Sequence, residues 1–180
     1  MNDIDIKIKK EKLIQTIKTV ISPKNIRTIE NSILDKNDAF LSYLFAKEIE
    51  GASINKHLKV VAGSRDYQTI YSFAMEIECD KTTLVEAIKN SGIAKWMYFV
   101  TYAKGVDAKL LEDAILNTND LRYIFNFALN TNCNRSKFIR KIVESKNLDY
   151  ISQLGKLGVK SEERNILIKQ VEDNTRKLKK

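Results

Sequence analysis

Residues that could carry out enzymatic chemistry are few and scattered in this sequence. The single histidine, His57, would have to serve any Ser-His-Asp or Cys-His arrangement, and we expect it on the outer flank of a helix in a surface or capping role. One histidine and two distant cysteines cannot build a usual zinc site. Neither phosphate-binding pattern, GxxxxGK[ST] or GxGxxG, occurs. The sequence therefore predicts a protein that is not an enzyme and has no cofactor.

Aromatic and basic residues recur at a fixed interval and are better candidates for a site. Trp96, Tyr123 and Tyr150 follow one another at equal steps of 27, and Lys95 and Arg122 directly precede the first two. Aromatic residues and arginine dominate interface hot spots, although bases can stack on the same residue types. Packing between repeats would also explain the column. The predicted partner-binding set is Lys95, Trp96, Tyr98, Tyr102, Arg122, Tyr123 and Tyr150.

A second set of candidates lies in the basic C-terminal part of the chain. The net charge is +8, and residues 137–180 contribute 12 basic and 6 acidic side chains, a surplus of six. Such a bias attracts nucleic acid or an acidic protein surface, but a solvated capping helix explains it equally well. The predicted nucleic-acid-binding set is Lys137, Arg140, Lys141, Arg164, Lys169, Arg176 and Lys177.

The helices that must hold these residues repeat with a period of 27 or 28. This period is the signature of a repeat architecture. Predicted first helices span 23–34, 54–62, 81–90, 108–117 and 135–145, and predicted second helices span 39–50, 66–78, 94–104, 120–131 and 148–157. Two apolar columns mark their buried faces: Ile33, Val61, Ile88, Ile115 and Ile142 in the first helices, and Phe45, Phe73, Val100, Phe127 and Leu154 in the second.

Polar residues at the helix ends support the same period. Asp80, Asp107, Asn134 and Ser161 are separated by the same step of 27, and their side chains are predicted to cap first helices. Ser22-Pro23 is predicted to begin the earliest of the first helices, the one that ends at Leu34. Glu112 lies in a first turn, where its charge would complement the helix dipole.

The two ends of the chain are predicted to differ from the repeats. Residues 1–9 read as a lead-in, followed by a helix over 10–21 that buries Leu13, Ile14, Ile17, Val20 and Ile21. The segment 161–180 begins a repeat without returning a second helix, with Ile166, Ile168 and Val171 towards the apolar side. A polar terminal cap of this kind is what an open-ended solenoid needs.

The predicted fold class is therefore all-α, a right-handed α-solenoid of about five helical hairpins with capping helices at both ends. It forms a single domain, 1–180, divided into 1–21, 22–160 and 161–180. The pattern LEDAIxxTxDxxYIFxFA, which begins at Leu111, is similar to an uncharacterised helical repeat of some bacterial and viral proteins. More broadly, residues 24–160 resemble the hairpin solenoids related to HEAT and armadillo proteins. The resemblance implies an elongated binding scaffold without catalytic residues.

Cysteine spacing and hydropathy indicate in which cellular compartment we expect the protein. Cys79 and Cys133 lie two periods apart in the sequence. Helix layers about 8–10 Å apart would separate them by roughly 20 Å, too far for a disulfide, so two free thiols are predicted. No apolar run is long enough to span a membrane, and the N-terminus lacks the apolar core of a signal peptide. We expect a cytoplasmic protein, in the host cytoplasm if phage-encoded.

Three functions remain open from the sequence. The first is a non-enzymatic scaffold that binds a protein partner or a nucleoprotein complex. A specific version is a phage or bacterial inhibitor, such as an anti-CRISPR that occludes a nuclease–guide RNA complex. The alternative is direct binding of DNA or RNA through the basic C-terminal segment, which would make affinity fall steeply with salt. The third, an enzyme on a solenoid frame, would need a clustered polar pocket that the sequence does not locate.

Overall fold

The structure, a computed structural model, describes residues 3–178, with side chains over 4–174. In this range the chain is all-α, with no strand. The α-helices are α1 (Asp3–Val20), α2 (Ile26–Leu34), α3 (Ala39–Glu48), α4 (Ile54–Ala62), α5 (Tyr67–Glu76), α6 (Thr82–Asn90), α7 (Ala94–Val100), α8 (Glu112–Asn117), α9 (Leu121–Asn130), α10 (Arg135–Glu144), α11 (Leu148–Ser152) and α12 (Ser161–Leu178). Two 3-10 helices, Ala108–Leu111 and Gln153–Leu157, extend α8 and α11.

Helix starts recur along the chain. Helices α3, α5, α7, α9 and α11 begin at residues 39, 67, 94, 121 and 148, so the steps are 28, 27, 27 and 27. The predicted starts of these five helices agree with the observed ones to within one residue. The predicted ends of these helices agree less well with the observed ones. Helix α5 ends at Glu76 rather than at residue 78, and α7 ends at Val100 rather than at residue 104.

A left-handed residue followed by a capping residue starts most of these second helices. Asn37, Gly92, Asn119 and Lys146 have positive φ angles of 48°, 69°, 58° and 57°. Asparagine and glycine adopt this conformation most readily. The next residue is the N-cap, as where the Asp38 carboxylate accepts a hydrogen bond from the Leu41 N–H at 2.8 Å. Gly92 therefore departs from the repeat in residue type but keeps its backbone geometry.

The predicted apolar columns form the core. Ile33 is 3% exposed, and the other four members of its column, together with all five members of the Phe45 column, are 0% exposed. Gly155 follows Leu154, the last member of the second column. Gly155 is exposed, and the Arg164 guanidinium lies where a Cβ of residue 155 would stand. A Cβ at position 155 would therefore displace the Arg164 side chain.

The chain divides into two compact units. The first consists of Met1–Ser91 with Tyr102–Val106, and the second of Gly92–Thr101 with Asp107–Lys180. Within the first unit, α3 packs on α1, α2, α4 and α5, while α4 packs on α5 and α6. Within the second unit, α9 packs on α7, α8 and α10, and α11 packs on α10 and α12.

Both ends of the chain correct the sequence prediction. Helix α1 begins at Asp3 rather than at residue 10, and it buries Ile14 and Ile17 while leaving Leu13 41% and Val20 59% exposed. At the other end, Val171 is buried but Ile166 is 58% exposed. A terminal helix packs on a neighbour along one side only, so its buried stripe is narrower than its apolar pattern.

The start of α2 is also different from the prediction. Ser22 and Pro23 lie before the helix, because the Asn25 side chain organises a turn there. Its Oδ1 accepts from the Ser22 N–H at 2.6 Å, and its Nδ2 donates to the Val20 carbonyl at 2.9 Å. The helix begins at Ile26, whose N–H donates to the Ser22 carbonyl.

Candidate functional site

Helices α7 and α9 bring together five side chains that we call the aromatic–basic surface: Lys95, Trp96, Phe99, Arg122 and Tyr123. The Phe99 ring lies between the other two, with centroids 6.3 Å from Trp96 and 6.3 Å from Tyr123. Both contacts are edge-to-face, at interplanar angles of 65° and 76°. The three rings are half-buried, so each keeps part of its surface in water. They form a continuous apolar strip across two helices.

Cations cover the faces of the two outer rings. Lys95 Nζ lies 4.8 Å from the Trp96 centroid and 6.0 Å from the Phe99 centroid, and Arg122 Cζ lies 5.4 Å from the Tyr123 centroid. Such contacts contribute about 0.5–1 kcal/mol at exposed sites. Both basic side chains are exposed, and within the described part of the chain neither forms a salt bridge. Their charge therefore remains uncompensated by any carboxylate of this range.

Three other members of the predicted partner-binding set are not part of this surface. Tyr98 is 8% exposed, and its hydroxyl accepts a hydrogen bond from Asn130 Nδ2 at 3.0 Å, so little of its side chain is left for a partner to contact. Tyr150 is half-buried and packs on Phe125 at 5.8 Å. Tyr102 is 50% exposed and follows the end of α7.

The burial of Tyr98 could have been found from the period. Steps of 28, 27 and 27 along the sequence place Tyr98 in a column with Tyr43, Tyr71 and Phe125. Tyr43 and Phe125 are 6% and 4% exposed, and Tyr71 is half-buried. This second aromatic column belongs to the core, whereas the column of Trp96 and Tyr123 lies at its edge.

Two of the seven predicted nucleic-acid-binding residues form ion pairs within the protein. Lys137 Nζ donates to Asp113 Oδ1 at 3.0 Å, which raises the pKa of Lys137, and Arg140 pairs with Glu144 at 2.8 Å. Arg164 lies over Gly155. Of the rest, Lys141 is half-buried and Lys169 is exposed. The side chains of Arg176 and Lys177 lie outside the described residues.

His57 is in the core, which overturns the expectation of a surface or capping role. It is 0% exposed, its ring lies 5.0 Å from that of Phe45, and neither ring nitrogen has a hydrogen-bond partner among the described residues. The repeat period aligns it with Leu84, Leu111 and Phe138, each 0% exposed. Burial lowers the pKa of His57, against the opposing effect of the Glu30 carboxylate, so the imidazole is neutral at neutral pH.

Glu30 is a carboxylate buried beside this histidine, and sequence reasoning missed it. It is 0% exposed, and its Oε1 lies 3.4 Å from His57 Nε2. It accepts hydrogen bonds from the Ser53 N–H at 2.5 Å, the Ser53 hydroxyl at 2.9 Å and the Arg27 guanidinium at 2.8 Å. Burial alone would raise the pKa of Glu30, but these donors together hold it below the ordinary value. The carboxylate is therefore charged within the core.

Ser53, His57 and Glu30 are the residue types of a hydrolase triad, but their order in space does not match one. A triad needs the imidazole to accept the hydroxyl proton while the carboxylate orients the imidazole. Here the Ser53 hydroxyl donates to the Glu30 carboxylate, and the imidazole nitrogens have no hydrogen-bond partner within the described range. The cluster therefore has a structural role, because the Glu30 carboxylate accepts the backbone N–H of Ser53 at the start of α4.

The same structural contact occurs again in the second unit. Glu112, three periods after Glu30, is 7% exposed, and its Oε1 accepts from the Asn134 N–H at 2.8 Å. The Asn134 side chain makes no capping hydrogen bond, contrary to the prediction. The contact at this helix start is instead made by the Asn134 backbone N–H, which donates to Glu112. We call the pairs Glu30–Ser53 and Glu112–Asn134 the glutamate clasps. Each joins one first helix to the N-cap of the next.

A groove of about 790 Å³ in the first unit runs between the end of α1 and the end of α3, but the Lys18–Glu48 ion pair at 2.8 Å lies in its wall. Among the side chains described, over residues 4–174, no three His, Cys, Asp or Glu are placed to hold a metal. Cys79 and Cys133 are free, as predicted, and burial raises the pKa of both thiols.

No helix in the described range is both long and apolar enough to cross a bilayer. Comparison of the chain with protein-family models, with curated proteins and with solved structures finds no match.

Proposed function

We propose that the helices form an α-solenoid of about five hairpins, right-handed and closed by a capping helix at each end. Three features support this architecture. Second helices begin at successive steps of 27 or 28. Equivalent positions carry the buried columns. The glutamate clasps connect consecutive first helices in each compact unit. A solenoid of this kind presents side chains of successive equivalent helices side by side.

We further propose that the protein is a non-enzymatic binding module whose partner, a protein, docks on the aromatic–basic surface. The observation that carries this proposal is the pairing of Lys95 with Trp96 and of Arg122 with Tyr123 on two packed helices. Half-buried aromatic rings bury a large area on binding without much loss of side-chain entropy, and arginine joins them in interface hot spots. A phage or bacterial inhibitor of a nuclease–RNA complex, such as an anti-CRISPR, is one setting for such a module.

Direct nucleic-acid binding is less well supported by the side-chain geometry. Phosphate neutralisation needs several free cations along one groove. Lys137 and Arg140 are instead paired with carboxylates, and Arg164 is packed over Gly155. These residues would have to exchange internal contacts for phosphate contacts.

The test is a pull-down with the tagged full chain from the native host, with and without nuclease, read by mass spectrometry. The doubly substituted Trp96→Ala/Tyr123→Ala protein is compared with a Tyr67→Ala/Tyr71→Ala control, which also removes two half-buried aromatic rings. Both are first checked for unchanged helical content by circular dichroism. We expect a protein partner that survives nuclease, is lost with the first variant and is retained with the control.

Two results would contradict the proposal. One is recovery of nucleic acid alone, removed by moderate salt and by charge reversal of Arg164 and Lys169. The other is a partner that binds equally to both variants, which would assign binding to a different surface.

A further inference from the structure

We propose that the occupant of the aromatic–basic surface is an acidic protein segment that carries an apolar side chain between two carboxylates. This inference rests on the proposed function and specifies its partner. Lys95 and Arg122 would each bind one carboxylate, and the apolar side chain would cover Phe99.

The charge of the two helices favours an acidic occupant. Helices α7 and α9 contain no aspartate or glutamate, and each has one base, Lys95 or Arg122. Three carboxylates of neighbouring elements are engaged elsewhere: Glu112 accepts from the Asn134 N–H, Asp113 pairs with Lys137, and Asp120 caps α9. Asp149, one period after Arg122, is exposed on α11. The surface is thus locally cationic although the flanking elements carry acids.

The cation–ring contacts orient the charges for carboxylates. A cation that lies on an aromatic face keeps its outward N–H groups available while the ring restricts its movement. Arg122 can then bind a carboxylate with two parallel hydrogen bonds, and Lys95 can bind one as a point charge. Because these side chains are already ordered against Tyr123 and Trp96, binding loses less of their conformational entropy.

The same geometry disfavours stacked bases. A base-stacking site needs exposed aromatic faces. Here Lys95 covers a face of Trp96 and Arg122 covers a face of Tyr123. The rings also meet edge-to-face, at 65° and 76°, so they do not offer a parallel series of faces. An aliphatic or aromatic side chain can instead insert against the strip at Phe99.

The spacing of the cations limits the sequence of the segment. Packed helices such as α7 and α9 have axes about 8–10 Å apart, so the two carboxylates should be separated by roughly 10 Å. An extended segment covers about this distance in three residues and a helical one in about seven. The expected motif is therefore two acids with this spacing and a large apolar residue between them.

The test is a selection of random 12-residue peptides displayed on phage against the immobilised full chain. Peptides that also bind the Lys95→Glu/Arg122→Glu variant are removed. Selected peptides are then synthesised, and their affinity is measured through the fluorescence of Trp96, the single tryptophan. We expect acidic peptides whose affinity falls at least tenfold with the double variant. The matched control, Lys109→Glu/Lys160→Glu, reverses two exposed lysines of the same unit and should change affinity less than twofold.

The outcomes separate this inference from the proposed function. Neutral or basic peptides that need Lys95 and Arg122 would overturn the acidic partner and leave the binding surface standing. Peptides that bind the control variant as weakly as the double variant would show general charge attraction and would also overturn it. If no peptide depends on the surface, both proposals fail. Surface-dependent binding of a 20-nucleotide oligo(dT) in place of peptides would contradict both in favour of nucleic acid.

Discussion

His57 is a polar residue in a column of leucine and phenylalanine, and it makes the core less stable than an apolar residue would. Both of its nitrogens are buried without a hydrogen-bond partner in the described range. An unpaired buried polar group costs about 1–3 kcal/mol. Because Glu30 keeps three other donors, a leucine at position 57 removes this cost without leaving the carboxylate unpaired.

We predict that His57→Leu raises the free energy of unfolding by about 1 kcal/mol at pH 7.5. His57→Ala, which also removes the nitrogens but leaves a cavity beside Phe45, should lower it by about 2 kcal/mol. Urea denaturation followed by circular dichroism measures both. A loss of stability in His57→Leu would mean that the imidazole makes a favourable contact with Glu30.

The same histidine should make stability depend on pH. Burial holds the pKa of folded His57 below its ordinary 6.5, so the unfolded chain binds more protons as the pH falls through this value. The free energy of unfolding then decreases on acidification, by up to about 1.4 kcal/mol per pH unit. Lys56 adds to the shift, and Glu30 opposes it. Glu30, whose own pKa is lowered, adds a further loss below pH 4.5.

We therefore predict that wild-type stability falls between pH 7 and pH 5.5, whereas that of His57→Leu stays nearly constant. The comparison is clean because His57 is the only histidine. Denaturation midpoints in urea at half-unit pH steps provide the measurement. Parallel pH curves for the two proteins would show that His57 has the same pKa in the folded and unfolded chains.

Between helices, each glutamate clasp accepts a hydrogen bond from the backbone N–H of an N-cap residue, Ser53 or Asn134. Without the glutamate, this N–H would be left unpaired. Glu112→Ala removes the acceptor of the Asn134 N–H, and we predict a loss of about 2 kcal/mol in the free energy of unfolding. Glu112→Gln keeps a carbonyl oxygen at this place and should lose less than half as much. Asp113→Ala is the control, since its pair with Lys137 is exposed and should contribute little to stability. Equal losses in all three variants, measured by urea denaturation, would assign no special role to the clasp.

The period explains which features of these helices were predictable. Helix starts and apolar columns follow from residue types that recur, so they were predicted closely. The burial of His57 and Tyr98 was missed because each was interpreted from its chemical type rather than from the burial of its column, whereas Glu112 lies in the first turn of α8 as predicted. The Glu30–Ser53 contact was missed because its partners are distant in sequence, and no local pattern encodes such a pair. The turn at Asn25 depends on side-chain contacts to Val20 and Ser22 that compete with the cap signal of Ser22-Pro23.

For the chain as a whole, the proposed repeat architecture makes a prediction about deletion. Repeat proteins are stabilised by contacts between neighbouring repeats, so removing one whole repeat should leave a shorter but intact structure. Deleting residues 119–145, one full period, would join Thr118 to Lys146, which has the φ of 57° where Asn119 has 58°. Asn147 would then replace Asp120 as the N-cap of a second helix.

This deletion should give a protein that keeps its helical content per residue and unfolds cooperatively at a lower temperature. The Ser161 N–H, one period after that of Asn134, would become the partner of Glu112. Deleting residues 119–143 instead stops two positions short of a full period and shifts every later column by that amount, so α11 would turn its buried face to solvent. Thermal melts followed by circular dichroism distinguish the two proteins. Loss of cooperative unfolding in both deletion proteins would contradict the solenoid, because equivalent repeats would then not be interchangeable.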